Sequence, residues 1–251
     1  MDNNNEDKFS GLAEIYERYR PSYPDEFIDY LYSEAGFAPE STIADIGAGT
    51  GRLSRLMAKR GSRVILVEVN GEMLAAARRA AEGLPNCGFV LAAAENTGLP
   101  DNSADFVTVA QAFHWFDRAE AKAEFRRILK PGGKVVLVWN DRATKNGLDE
   151  ETYETNRRYC PDFKGFSGGR HDRGDYADFF EGGCDRRSFA NQTVWDKESF
   201  IREHLTASYA PRAGAENYDG YVGTLNDIFD RYAKDGTLIN HMLTVSYCGG
   251  V

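Results

Sequence analysis

The spacing Gly47-Ala48-Gly49-Thr50-Gly51 could bring bare backbone against a ligand. Glycine has no Cβ, so such a turn can take positive φ and approach a bound group closely. The strand-like run Ile43-Ala44-Asp45-Ile46 leads into it and a helical pattern leaves it, so unpaired N–H groups of a helix start face the same crevice. That is the chemistry of a nucleotide-like cofactor. Glu68 stands 21 residues after Gly47, at the end of the next strand-like run. A carboxylate there can accept both hydroxyls of a ribose; the alternative is a solvated charge at a strand end.

Two further runs carry polar chemistry. In Ala93-Ala94-Glu95-Asn96 the Ala94 N–H and the Glu95 carboxylate could read an adenine edge. In Ala110-Gln111-Ala112-Phe113-His114-Trp115-Phe116-Asp117 a strand pattern runs out at the edge where open α/β sheets bind ligands. His114 is the candidate base, because imidazole titrates near neutrality. Against that stands the reading in which His114, Trp115 and Phe116 pack the pocket floor or cap the following helix. Arg20, near Tyr16 and Tyr19, either clamps a carboxylate or forms a salt bridge that fastens the N-terminal helix. Arg170, His171 and Arg173 read as solvated lid residues, and His204 and His241, without a partner pattern, default to core or surface.

The elements that must position these groups alternate between strand and helix over residues 41–140, the pattern of a parallel α/β sheet. Strands are expected at Thr42–Ile46, Arg63–Val69, Gly88–Ala92, Phe106–Ala110 and Lys134–Trp139. Between them, Leu53, Leu56 and Met57 mark one apolar helix face, and Ala121, Phe125, Ile128 and Leu129 another. Asn70 and Asp117 stand where N-caps belong. Pro131-Gly132-Gly133 turns the chain out of a helix. Phe27, Ile28 and Leu31 give Asp25–Tyr32 an apolar face, and Tyr218, Tyr221, Val222, Leu225, Phe229 and Tyr232 stripe a long late helix. Leu243, Val245 and Tyr247 alternate with Thr244 and Ser246 as a last strand. Residues 141–183 show no clean period and read as a mobile, lid-like insertion.

Composition narrows the class. A chain of 251 residues suffices for one large domain. The net charge of -9 and pI near 5.1 disfavour unaided binding to nucleic acid. No apolar run approaches the roughly 20 residues that span a bilayer, and the start Met1-Asp2-Asn3-Asn4-Asn5-Glu6-Asp7 lacks signal-peptide chemistry. Cys87, Cys160, Cys184 and Cys248 are scattered, which fits thiols in a reducing cytoplasm rather than a disulfide framework or zinc site.

Together, Asp45 to Gly51, then Val67-Glu68-Val69-Asn70-Gly71-Glu72-Met73-Leu74, then Ala94-Glu95-Asn96 resemble the class I S-adenosylmethionine-dependent methyltransferases. The runs Ala110 to Asp117 and Tyr16-Glu17-Arg18-Tyr19-Arg20-Pro21-Ser22-Tyr23-Pro24 are similar to the small-molecule subgroup that includes the fungal trans-aconitate methyltransferases. The likeness covers residues 9 to 140 well and the rest loosely. It implies an α/β, Rossmann-like, seven-stranded mixed sheet, mostly parallel with the last strand antiparallel, helices on both faces and a helical cap. Its sixth and seventh strands fall near Arg187–Val194 and Met242–Cys248. On this reading residues 1–251 form a single domain: a cap (1–36), a cofactor-binding core (41–140), a lid (141–183) and a part completing the sheet (184–251).

The resemblance also implies roles. Gly47, Ala48 and Gly49 pass under the methionine part of S-adenosylmethionine, Asp45 supports the turn and the amino group, and Ala110 and Gln111 lie beside that moiety. Glu68 holds the ribose, Val69 and Met73 flank the adenine, and Ala94 and Glu95 read its edge. Tyr16, Tyr19, Arg20, Phe113 and Trp115 belong to the cap or acceptor side. Two departures from the pattern stand out: Val69-Asn70, where many relatives place a proline after the acid, and Ala93, where a polar residue is expected.

The acceptor is not specified. No Asn-Pro-Pro-Tyr-like run follows the fourth strand, no cysteine lies at the carboxyl edge, and no carboxylate triplet is spaced for Mg²⁺, so no metal is expected. A small oxygen, nitrogen or carbon nucleophile remains, a carboxylate among them, with S-adenosylhomocysteine as co-product and no oligomeric state specified. Methyl transfer from a sulfonium is an in-line displacement, to which positioning contributes on the order of 7–11 kcal/mol, so a base is needed only if the acceptor must lose a proton. The alternatives are a nicotinamide-dependent oxidoreductase, disfavoured by Arg52 in place of a third fingerprint glycine, and a non-catalytic binding protein that kept the fold.

Overall fold

Strands rich in Val and Ile form the centre because both of their faces are covered by helices. The computed structural model describes residues 11–142, 147–166, 176 and 178–251. In chain order the elements are α1 (Ala13–Tyr19), α2 (Asp25–Ser33), β1 (Thr42–Ile46), α3 (Arg52–Lys59), β2 (Arg63–Glu68), α4 (Gly71–Ala80), β3 (Cys87–Leu91) and β4 (Ala104–Ala110). Then come α5 (Arg118–Ile128), β5 (Leu129–Arg142), α6 (Gly147–Tyr159), β6 (Glu181–Trp195), α7 (Lys197–Leu205), α8 (Tyr218–Tyr232) and β7 (Leu238–Gly250).

The sheet has seven strands in the order β3-β2-β1-β4-β5-β7-β6. β1 to β5 pair in parallel, while β7 runs antiparallel to both β5 and β6. The chain reverses direction across the sheet between β1 and β4, and it is at such a switch point that carboxyl ends of strands leave a crevice. The alternation along β5 shows the layering. Val135 and Leu137 join α5 residues Ala121, Phe125 and Ile128 on one face. Val136 and Val138 join Phe27, Ile28 and Leu31 of α2 and Leu53 and Met57 of α3 on the other. The expected N-caps form, with Asn70 accepting from Met73 N and Asp117 from Ala119 N and Glu120 N.

The region beyond residue 140 departs from the expectation of an insertion without period. It holds α6, which packs with α7 and α8 around Leu148, Phe200, Tyr221, Leu225 and Phe229. The buried side of α6 is Leu148, Thr152, Thr155 and Asn156, so its period is carried by small polar residues that a hydrophobic pattern does not register. Thr152 and Thr155 return their hydroxyls to the carbonyls of Leu148 and Glu151 at 2.6 and 2.7 Å. Tyr176, Phe179 and Phe180 are buried in the core under α5. Arg170, His171 and Arg173 lie outside the described residues, as does the acidic start of the chain. β6 begins at Glu181 and β7 runs to Gly250, longer than the sequence pattern indicates. All four cysteines are free thiols. Among the described residues no helix is long and apolar enough to cross a membrane.

Candidate functional site

β1 is buried from Ile43 to Ile46, and the chain leaves it through the glycine turn. Gly51 caps α3 at φ +74°, and a Cβ there would stand 2.6 Å from Leu66 Cδ2 and 3.4 Å from Ala77 Cβ. Gly47 is likewise enclosed, with Ala112 Cβ 2.6 Å from where its own Cβ would be. Those glycines answer to protein packing. Gly49, at φ +57°, is different: a Cβ there would meet nothing within 4 Å, so this is the face of the turn that a ligand can approach.

Glu68, at the end of β2, turns inward to that position. Its Oε2 accepts from Gly49 N at 2.8 Å and its Oε1 from Asn70 N at 2.9 Å. A carboxylate has about four lone-pair sites, so acceptor capacity remains for a diol. Burial raises the Glu68 carboxyl above the ordinary carboxylate range, and the N–H bonds from Asn70 and Gly49 oppose that rise. Asp45, 1% exposed, fastens the turn from below. It accepts from Thr108 Oγ1 of β4 at 2.7 Å and from Ser54 Oγ of α3. Burial pushes its carboxyl up to about 6 despite those hydroxyls.

The other expected residues gather along the same edge with distinct environments. Gln111 leaves β4 at φ +59°, donating its N–H to Val138 O at 2.9 Å, a backbone region that non-glycine residues occupy at a cost. Ala110 precedes it at the half-buried end of β4, and Ala48 donates its N–H to Val67 O at 3.1 Å. Phe113 is wholly buried against Phe179, ring centroids 4.6 Å apart, which makes it floor. His114 and Trp115 are half-buried, with ring centroids 4.7 Å apart. Val69 is 37% exposed beside Glu68, whereas Met73 is buried against Ala13 and Ala76 beneath α1. Ala94 is buried. The Glu95 carboxylate accepts from Asp117 N at 2.8 Å and so ties the β3–β4 loop to the start of α5.

The N-terminal helix closes over the turn through α3. Arg52 Nη2 donates to the carbonyls of Tyr16 (3.2 Å) and Glu17 at the end of α1. Arg55 pairs with Glu17 at 2.5 Å and donates to Thr50 O at 2.8 Å. Arg52, where a third fingerprint glycine was wanted, is thus a fastening of the cap. Of the two readings of Arg20, the salt bridge is the one observed: Nη1 lies 3.4 Å from Glu203 Oε1 of α7, and its guanidinium sits 5.2 Å from the Tyr16 ring centre. Tyr19 donates to Glu198 of α7 at 3.1 Å. A groove of about 340 Å³ between α1 and α4 is lined by Ala13, Glu17, Ala76 and Arg79; it lies outside the crevice over Gly49.

Sequence reasoning passed over a polar network that seats the linker between α1 and α2. The Ser22 carbonyl accepts from Asn140 Nδ2 (3.0 Å) and Asn191 Nδ2 (2.8 Å). Thr244 Oγ1 donates to Asn140 Oδ1 at 2.6 Å. These residues belong to β5, β6 and β7, so their meeting depends on strand register: Asn140 pairs with Thr244, and Asn191 with Met242.

The open backbone at Gly49, the Glu68 carboxylate hydrogen-bonded to it and the apolar surface of Val69 fit a nucleoside with a free ribose diol. Residues 44–137 match a family described as a methyltransferase domain. The chain is 44% identical over 146 residues to an uncharacterized methyltransferase of Mycobacterium tuberculosis, covering 58% of this chain and 57% of that one. It is 38% identical over 128 residues to an uncharacterized methyltransferase of Schizosaccharomyces pombe, covering 51% and 50%. The chain spans about half the length of these curated relatives. A solved structure described as a type II methyltransferase from Anaeromyxobacter dehalogenans superposes with a TM-score of 0.68 at 24% identity, covering 92% of this chain and 98% of that one, a likeness of fold.

Proposed function

We propose, from the premise that this chain belongs to the class I methyltransferases, that it transfers a methyl group from S-adenosylmethionine to a small-molecule acceptor by in-line displacement. The observation that carries the reading is the hydrogen bond from Gly49 N to Glu68, which sets an acidic side chain against the one open face of the turn. When bound, the donor supplies an electrophilic methyl on a sulfonium. The chain's own residues do the rest. Gly47, Ala48 and Gly49 lie under the donor's amino-acid part with Asp45 holding the turn, and Ala110 and Gln111 flank it. Glu68 takes the ribose hydroxyls through its remaining lone pairs. Val69 and Met73 bound the adenine, with the Ala94 N–H and the Glu95 carboxylate at its edge, and Glu95 also holds the neighbouring loop in place through Asp117.

On the acceptor side, Tyr16, Tyr19 and Arg20 close the cap and Phe113 and Trp115 form the floor. His114 is the candidate for a proton that the acceptor has to lose. The acceptor is an oxygen nucleophile, a carboxylate or a hydroxyl, turned over in the cytoplasm. The test is transfer of labelled methyl from S-adenosylmethionine across a panel of small carboxylic acids and phenols. Transfer to at least one member, weakened by Gly49→Ala at limiting donor, supports the reading; tight binding of NAD with no affinity for S-adenosylhomocysteine contradicts it.

A further inference from the structure

Resting on the methyl-transfer reading above, we infer that uptake of the methyl donor expels a proton from the protein, because Asp45 ionises fully only when the donor's ammonium arrives on the glycine turn. Asp45 lies two residues before Gly47, on the buried side of that turn, and is 1% exposed. Its hydrogen bonds come from neutral groups: the Thr108 hydroxyl of β4 at 2.7 Å, and the hydroxyl and N–H of Ser54 on α3. The second carboxylate of the crevice, Glu68, is also buried and is met by the N–H groups of Asn70, Gly49 and Val69. Among the described residues neither acid forms an ion pair, whereas the acids that fasten the cap do, Glu17 with Arg55 and Glu203 with Arg20. A buried carboxyl without a counter-ion resists ionisation, since water no longer solvates its charge.

The other groups that face Asp45 do not supply the missing charge. They are Glu68 at the end of β2, Cys87 at the start of β3 and Tyr23 on the linker before α2. One is a second acid, and burial raises both the Cys87 thiol and the Tyr23 phenol, which keeps them protonated and neutral. The guanidinium at the start of α3, Arg52, is turned to the carbonyls of Tyr16 and Glu17, and Arg20 to Glu203. Burial therefore holds the Asp45 carboxyl up at about 6, with Glu68 adding to the rise and the hydroxyls of Ser54 and Thr108 opposing it. A cation laid on Gly47, Ala48 and Gly49 changes that balance, because an opposite charge favours the ionised carboxylate. Contact is not required: the charge acts through the turn, where surroundings less polar than water screen it weakly. Asp45 then gives its proton to solvent. A ligand that carries the ammonium binds more tightly as pH rises through about 6; a ligand without it gains nothing from Asp45.

The test is calorimetry of the full chain from pH 5 to 7 with two probes. S-adenosylhomocysteine carries an amine that stays protonated over this range; 5′-methylthioadenosine keeps the adenosine and lacks the amino-acid part. Both present the ribose diol, so comparing them cancels whatever Glu68 contributes to the pH profile. With the Asp45 carboxyl falling on binding from about 6 to its ordinary value of about 4, affinity for S-adenosylhomocysteine rises about tenfold from pH 5 to 7 relative to 5′-methylthioadenosine. Titrations at pH 6 in buffers of different ionisation heat should count about half a proton released with S-adenosylhomocysteine beyond that with 5′-methylthioadenosine. Asp45→Asn, which keeps an acceptor for the two hydroxyls, removes both differences. Parallel pH profiles for the two probes, no proton released with S-adenosylhomocysteine, or an Asp45→Asn chain that keeps the differences overturns the inference and leaves the methyl-transfer reading standing. Failure of the wild-type chain to bind S-adenosylhomocysteine at any of these pH values overturns that reading instead.

Discussion

Gly49→Ala separates the ligand-facing role of the turn from its role in packing. The substitution adds one methyl at a residue with φ +57° and nothing within 4 Å of the new carbon. Its cost to folding is therefore that of holding a non-glycine residue in the left-handed region, about 1–2 kcal/mol. Its cost to binding is larger, because the methyl occupies the face against which the donor is to lie. Displacing the donor by even a fraction of a methyl diameter loses contacts and hydrogen bonds at Glu68, and at least a tenfold rise in Kd, about 1.4 kcal/mol, is expected. Gly51→Ala is the control. There the new carbon falls 2.6 Å from Leu66 and 3.4 Å from Ala77, so overpacking adds about 1–3 kcal/mol to the same backbone cost. Urea denaturation and calorimetry with S-adenosylhomocysteine, run on both variants, read the two effects apart. If Gly49→Ala keeps wild-type affinity, the open face of the turn is not the ligand's face and the reasoning fails.

Three further outcomes follow from the same geometry. Glu68→Ala should weaken S-adenosylhomocysteine binding by about 1–3 kcal/mol, the usual cost of losing hydrogen bonds to a charged group, and calorimetry reads it directly. Asp45 has a folded pKa of about 6, above its unfolded value near 3.9. The raised pKa means its contribution to stability is fully present below the unfolded value and is lost as pH rises through about 6, roughly 3 kcal/mol in all. Urea titrations from pH 4 to 8 should therefore show wild-type stability falling relative to Asp45→Asn across that window; a constant difference would contradict the burial account. Arg52→Ala removes the donor to the Tyr16 and Glu17 carbonyls, so hydrogen exchange in residues 13–20 should accelerate while β1 and β4 stay protected. Equal protection of α1 in both proteins would show that Arg52 does not fasten the cap.

The core was legible because its signals are local. A Val- and Ile-rich run, a glycine turn and a helical face each lie within a few residues, and β1, α3, β2 and the caps at Asn70 and Asp117 follow from them. Glu68 was legible by its distance from the turn. What escaped depends on register and on polar packing. Asn140, Asn191 and Thr244 meet only because β7 lies between β5 and β6, and no spacing in the chain encodes that meeting. α6 escaped because Thr152, Thr155 and Asn156 bury its inner side, where hydrophobic periodicity is silent. Glu95 carries a contact that no spacing encodes: its carboxylate accepts from Asp117 N across the loop between β3 and β4.

The central claim is that the crevice over Gly49 and beside Glu68 takes the adenosyl methyl donor. Isothermal calorimetry of the full chain with S-adenosylmethionine, S-adenosylhomocysteine and NAD tests it most directly. Saturable binding of the first two, weakened in Gly49→Ala and Glu68→Ala and absent for NAD, is the predicted result. Binding of NAD in their place, or affinity for S-adenosylhomocysteine indifferent to both substitutions, would contradict it.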